Sequence, residues 1–67
     1  MFSKENYIKY FLQIRKVEET MRDKFLSYSE MVDDPKLKKF FLELHRQENA
    51  HYKLVTGMLK SFGYEEK

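Results

Sequence analysis

Residues 32–37 read Val32-Asp33-Asp34-Pro35-Lys36-Leu37, and they divide the chain into two helices. Pro has a fixed φ and no N–H, so it suits the first turn of a new helix. An aspartate just before it can accept the free N–H groups of that turn, and Asp33 or Asp34 fills this role. Upstream, Ser3 to Val32 contains no Pro or Gly, and Ser3 is a natural N-cap, with Asn6 only a weak partner for it. Downstream, helical residues run from Pro35 to about Phe62, and Gly63 fits the left-handed position beyond a helix end. Gly57 is either an interior cost of roughly 1 kcal/mol or a point of close packing. The sequence therefore predicts helices over about 3–32 and 35–62, each about 40 Å long at ~1.5 Å per residue. A linker this short makes them an antiparallel hairpin, a single domain spanning 1–67.

The hydrophobic pattern has a helical period. Steps of four and three residues from Tyr7 pass through Phe11, Ile14, Glu18, Met21, Phe25, Tyr28 and Val32. The same steps from Leu37 pass through Phe41, Leu44, Glu48, His51, Val55, Met58 and Phe62. Both rows are apolar or aromatic apart from Glu18, Glu48 and His51. Phe40, Leu54 and Leu59 form a second row on the later helix, so its apolar face is wide. Two helices alone leave such faces open to water, whereas two hairpins laid together close them. The expected fold is all-α: a two-helix antiparallel hairpin that dimerises into a four-helix bundle. The helices also echo each other at an offset of 30, with Phe11 matching Phe41, Ile14 Leu44, Glu18 Glu48 and Phe25 Val55. Met21 falls where His51 falls, and shared heptad logic accounts for the echo more simply than duplication does.

Composition narrows the function. With 67 residues and no cysteine, the chain cannot use disulfides, and domains this small gain stability from a metal, an oligomer or very regular helix packing. The net charge of +2, from 13 basic and 11 acidic residues, is too near balance to predict a nucleic-acid or anionic-membrane partner. No apolar run approaches the roughly 18 residues that span a bilayer. The start, Met1 to Tyr10, lacks the apolar block of a signal peptide, so a cytoplasmic location is expected.

The three polar intruders carry the chemistry. Counting from Asp34, Glu18 lies 16 residues back, Glu48 14 on and His51 17 on. In an antiparallel hairpin Glu18 thus falls level with the gap between Glu48 and His51. A carboxylate among apolar side chains costs several kcal/mol unless something compensates its charge. A divalent cation does so, and carboxylate with imidazole suits Fe, Mn or Zn. The Glu-x-x-His spacing places both donors on one helical face. One hairpin offers two carboxylates and one imidazole, and a twofold dimer doubles them to four Glu and two His. Four carboxylates balance two divalent ions, with Glu18 and its copy bridging and each Glu48–His51 pair holding one end.

These residues resemble a known group. "VEETMRDKF" followed by "VDDPKLKKFFLELHRQENAHYKLV" is similar to the ferritin-like superfamily, including the rubrerythrins. The shared pattern is a Glu in one helix, Asp-Pro-x-Leu-Lys opening the next, then Glu-x-x-His, over roughly Lys16 to Leu59. Members with a full four-helix domain carry two such halves, and this chain carries one. It is most similar to the two-helix encapsulated ferritins, which build a di-iron ferroxidase site between subunits. The resemblance implies a ferritin-like bundle, iron as the metal at two ions per dimer, ferroxidase or iron/peroxide handling, and Glu18, Glu48 and His51 as ligands. Where many relatives have a tyrosine seven residues after the first glutamate, this sequence has Phe25; Tyr28 and Tyr52 are the nearby alternatives for a hydrogen bond or redox relay. The encapsulated members carry a C-terminal tail that docks into a shell protein, and no such tail is read in "FGYEEK".

Other residues take plainer readings. Glu19 and Asp23 are expected in solvent, His45 lies at the border of the ligand face and is not expected to bind metal, and Met21 is expected to pack beside the site. "PKLKK" reads as a solvated helix start, since no aromatic or arginine cluster accompanies it. The competing function is a non-enzymatic interaction module: the same bundle without metal, in which Glu18, Glu48 and His51 hydrogen-bond one another.

Overall fold

The structure, a computed structural model, describes residues 3–66. It is all-helical among these, with α1 over Lys4–Met31 and α2 over Pro35–Ser61. Both helices end within a residue or two of the boundaries read from sequence. The Ser3 side chain accepts from the Asn6 N–H at 3.3 Å and caps α1. Of the two candidate aspartates it is Asp34 that caps α2, accepting from the N–H groups of Lys36 at 2.7 Å and Leu37 at 3.3 Å. Pro35 follows as the first helical residue. At the far end Gly63 has φ +81°, a conformation that glycine adopts without a Cβ penalty. The N–H groups of Gly63 and Tyr64 then return to the Lys60 and Leu59 carbonyls, satisfying the last turn.

The helices run antiparallel. Tyr7 stacks on Phe62, Arg15 reaches Thr56, Arg22 reaches Asn49 and Tyr28 meets Phe41 edge-on. These pairs centre the register on Pro35, one residue beyond the Asp34 assumed from the turn. Rings close both ends of the hairpin: Phe62 also stacks on Phe11 at 5.8 Å, and Phe41 also meets Phe40 at 5.8 Å. The long axis extends 47 Å, in line with the lengths read from sequence.

The two rows read from sequence meet across the hairpin at Tyr7–Phe62, Phe11–Phe62 and Tyr28–Phe41, but the seam also takes in residues that lie off them. The two fully enclosed residues among those described are Leu59 and Ser29, and neither lies on the Tyr7–Val32 or Leu37–Phe62 row. The seam also holds Arg15, Arg22, His45, Tyr52 and Thr56, all partly buried. Phe11, Phe25, Phe41, Leu44, Val55 and Phe62 of the rows are half-buried, while Tyr7, Ile14, Tyr28, Leu37 and Met58, with Phe40 and Leu54 of the second row, are left exposed. The physical reason is the width of the apolar faces. Each exceeds what one neighbouring helix can cover, so the pair packs along one flank and leaves the other uncovered. The Ser29 hydroxyl, enclosed in that seam, donates to the Leu26 carbonyl at 2.6 Å. Burial of Leu59 contributes about 1.5–3 kcal/mol, a large share for so small a hairpin.

Gly57 is not a point of close packing. A Cβ built there meets no atom within 4 Å, so the glycine is purely a helix cost. Gly57→Ala should therefore stabilise the protein by up to about 1 kcal/mol, a rise of about 4–8 °C in Tm by circular dichroism. A fall in Tm would show that this position is packed.

Candidate metal centre

Glu18 comes from the middle of α1, and Glu48 and His51 come from the middle of α2. Since the helices run antiparallel with a fixed register, the three side chains meet at one height. His51 Nδ1 stands 3.3 Å from Glu18 Oε2 and 4.0 Å from Glu48 Oε2. One ligand atom from each of the three lies within 4.8 Å of the others. Two donors that bind one ion at about 2.0–2.2 Å can stand up to about 4.4 Å apart, so small side-chain rotations bring this set into coordination range. Two carboxylates and an imidazole form a donor set for Fe, Mn or Zn.

The three are not equally enclosed. The Glu18 side chain is 12% exposed and Glu48 25%, but His51 is 56% exposed. The expectation of an interior position thus holds for Glu18, partly for Glu48, and not for His51. Counted at roughly 100° per residue, His51 lies on the same uncovered flank as Leu54 and Met58, and Glu18 stands where the seam of α1 gives way to that flank. The group therefore sits at the edge where the seam opens onto the exposed apolar face.

Its electrostatics are unbalanced. Among the described residues the ion-pair partner of both glutamates is His51. The arginines on either side of Glu18 point elsewhere: Arg15 to Thr56 and Glu66, Arg22 to Asp23 and Asn49. Burial pushes the Glu18 carboxyl above its ordinary pKa, the His51 imidazole works against that rise, and the Glu48 carboxylate adds to it. Hydrogen bonds and fixed cations that would relieve this strain are absent from the contacts of the described residues.

His45 is held away from the group. Its Nδ1 donates to the Arg22 carbonyl at 2.8 Å across the seam, and a carbonyl can only accept, so that nitrogen carries a proton. Glu19 is half-buried rather than solvated, whereas Asp23 is exposed and paired with Arg22 at 3.1 Å. Met21 is half-buried. Of the two tyrosines that stand in for the expected relay position, Tyr28 contacts Phe41, and Tyr52 lies beneath two guanidinium groups, Arg22 at 4.9 Å and Arg15 at 5.5 Å from its ring centre. That arginine–tyrosine–arginine stack was not read from sequence. Arg15, Arg22 and Tyr52 recur at helical spacing on facing helices, which is the one signal that could have revealed it.

Comparison with protein-family models, with curated proteins and with solved structures gave no match. Among the described residues no helix is long and apolar enough to cross a membrane.

The raised Glu18 pKa has a defined consequence for stability. A carboxyl whose pKa is higher folded than unfolded favours folding at low pH, and that contribution is lost as pH rises through the folded-state value. In metal-free protein, Glu18→Gln should raise Tm at pH 7 by about 2–5 °C. The gain should vanish below the ordinary carboxylate range. Calorimetry across pH checks this, and a Tm loss at neutral pH would contradict it.

Proposed function

We propose that this chain is a ferritin-like di-metal carboxylate protein. Two hairpins form a homodimeric four-helix bundle, and two iron ions lie at the interface, held by Glu18, Glu48 and His51 of each copy. The reading rests on one observation above the rest. Two glutamates from different helices and a histidine converge within 4.8 Å, at the margin of an apolar face that the hairpin leaves exposed.

That placement supports both halves of the proposal. The exposed row of Tyr7, Ile14, Leu37, Phe40 and Met58 leaves large apolar side chains facing water. A twofold partner covers it with the same row. The same operation brings a second pair of carboxylates and a second imidazole alongside the first. Four carboxylates then face two divalent ions, and the charge left over in the single hairpin is cancelled. Iron held there supplies one-electron chemistry, namely oxidation of Fe(II) by oxygen or peroxide. The chain's own part is to fix the donors on rigid helices and to neutralise the cations with carboxylates. Mn or Zn suits the same donors.

The alternative is a bundle that binds partners without metal. The observation in its favour is the 3.3 Å approach of His51 Nδ1 to Glu18, which lets a protonated imidazole satisfy the carboxylate directly. Elemental analysis of the purified protein, together with its mass in solution, separates the two. The di-metal reading expects about one metal ion per chain, twice the chain mass, and loss of metal uptake in Glu48→Ala without loss of the dimer. Metal-free protein whose Tm ignores added Fe(II) and Mn(II) would overturn it in favour of the module.

A further inference from the structure

Glu18 has two arginines within about one helical turn and is paired with neither. Arg22 follows it by four residues, the spacing at which a glutamate and a later cation pair best on a helix. Arg15 precedes it by three. Among the described residues the ion-pair partner of Glu18 is nevertheless His51, and the charges that act on its carboxyl are those of His51 and Glu48.

Tyr52 of α2 is the partner that the two arginines share. Its half-buried ring lies 4.9 Å from the Arg22 guanidinium and 5.5 Å from that of Arg15, inside the roughly 6 Å over which an aromatic face attracts a cation. The side chains are 11% exposed at Arg15 and 23% at Arg22, so little water weakens that attraction. Arg15 has further anchors in Thr56 Oγ1, at 3.2 Å, and in Glu66. The other anchors of Arg22 are weaker. Its partner Asp23 is 63% exposed, and the approach to Asn49 Oδ1 at 3.5 Å is long for a hydrogen bond. The ring is therefore what holds Arg22 in the seam. Without it, the nearest enclosed carboxylate for Arg22 is Glu18, one turn back.

We propose that Tyr52 is a positioning residue for the metal centre: its ring holds Arg22, together with Arg15, on the seam side and so keeps Glu18 open to a divalent cation. A guanidinium paired with Glu18 would occupy the oxygens that the ion needs and supply positive charge in its place. The consequence for cation binding rests on the di-metal reading above, whereas the placement of the arginines does not.

The test follows both. Mn(II), titrated by calorimetry, is the probe for binding. Tyr52→Leu should weaken it about tenfold or more. Tyr52→Phe keeps the ring face and should bind as the wild type does. Adding Arg22→Met to Tyr52→Leu should restore the affinity, which damage to packing alone would not allow. In metal-free protein at pH 7, Glu18→Gln should raise Tm in the wild type but lower it in Tyr52→Leu, where the carboxylate has gained a guanidinium. Should Tyr52→Leu fail to fold, proton NMR of the wild type decides: the Arg22 side chain should carry the ring-current shift of Tyr52 and show no contact with Glu18. An Arg22–Glu18 contact in the wild type would overturn the proposal. So would wild-type affinity in Tyr52→Leu, a loss that Arg22→Met does not repair, or a Glu18→Gln effect of one sign in both backgrounds. If the wild type itself binds no Mn(II), the di-metal reading falls, and the Tm pair and the NMR contact alone judge the role of Tyr52.

Discussion

The structure depends on one constraint: two carboxylates must share a half-buried margin with one imidazole as their ion-pair partner. Glu18 and Glu48 arrive there from separate helices because the turn at Asp34-Pro35 fixes the register. Their nearest arginines are committed to other partners. Burial, with a second carboxylate alongside, raises the free energy of ionised Glu18. The raised Glu18 pKa reports that cost. A single hairpin does not relieve it, and the proposed pair of cations shared between two hairpins does.

The way the helices pack explains why the group sits where it does. The seam between α1 and α2 is partly polar: Arg15, Arg22, Asn49, Tyr52 and Thr56 contact one another across it. Long arginine stems cover apolar surface while their heads find oxygen and ring partners. The more apolar flank is left open, with Ile14, Leu37, Phe40, Leu54 and Met58 exposed. Polar contacts thus join the ring stacks in holding the two helices in register. The proposed second copy fits, because a twofold axis places identical rows against each other.

Much of this was legible in the sequence, for physical reasons that can be named. Asp34, Pro35 and Gly63 act locally, through capping and backbone conformation, so the helix ends followed from them. Register follows from counting outward from a short turn, which put Glu18 level with Glu48 and His51 and was off by about one residue. The polar part of the seam was not legible. A periodicity argument assigns apolar residues to the interior and charged ones to solvent. Here Arg15 and Arg22 go in and Leu54 and Phe40 stay out, since each helix has more apolar surface than one partner covers. His51 was for the same reason expected inside and is mostly exposed on the hairpin. The return of Glu66 onto Arg15 was beyond reach too, because its two partners lie 51 positions apart in sequence and no local pattern connects them.

The most direct measurement is anomalous diffraction at the iron edge from crystals grown with Fe(II) without oxygen. The account expects two peaks astride a twofold axis, each within coordination distance of Glu48 and His51, with Glu18 from both copies turned toward them. Glutamates pointing into bulk solvent, or a hairpin whose apolar flank meets no second copy and binds no iron, would contradict it.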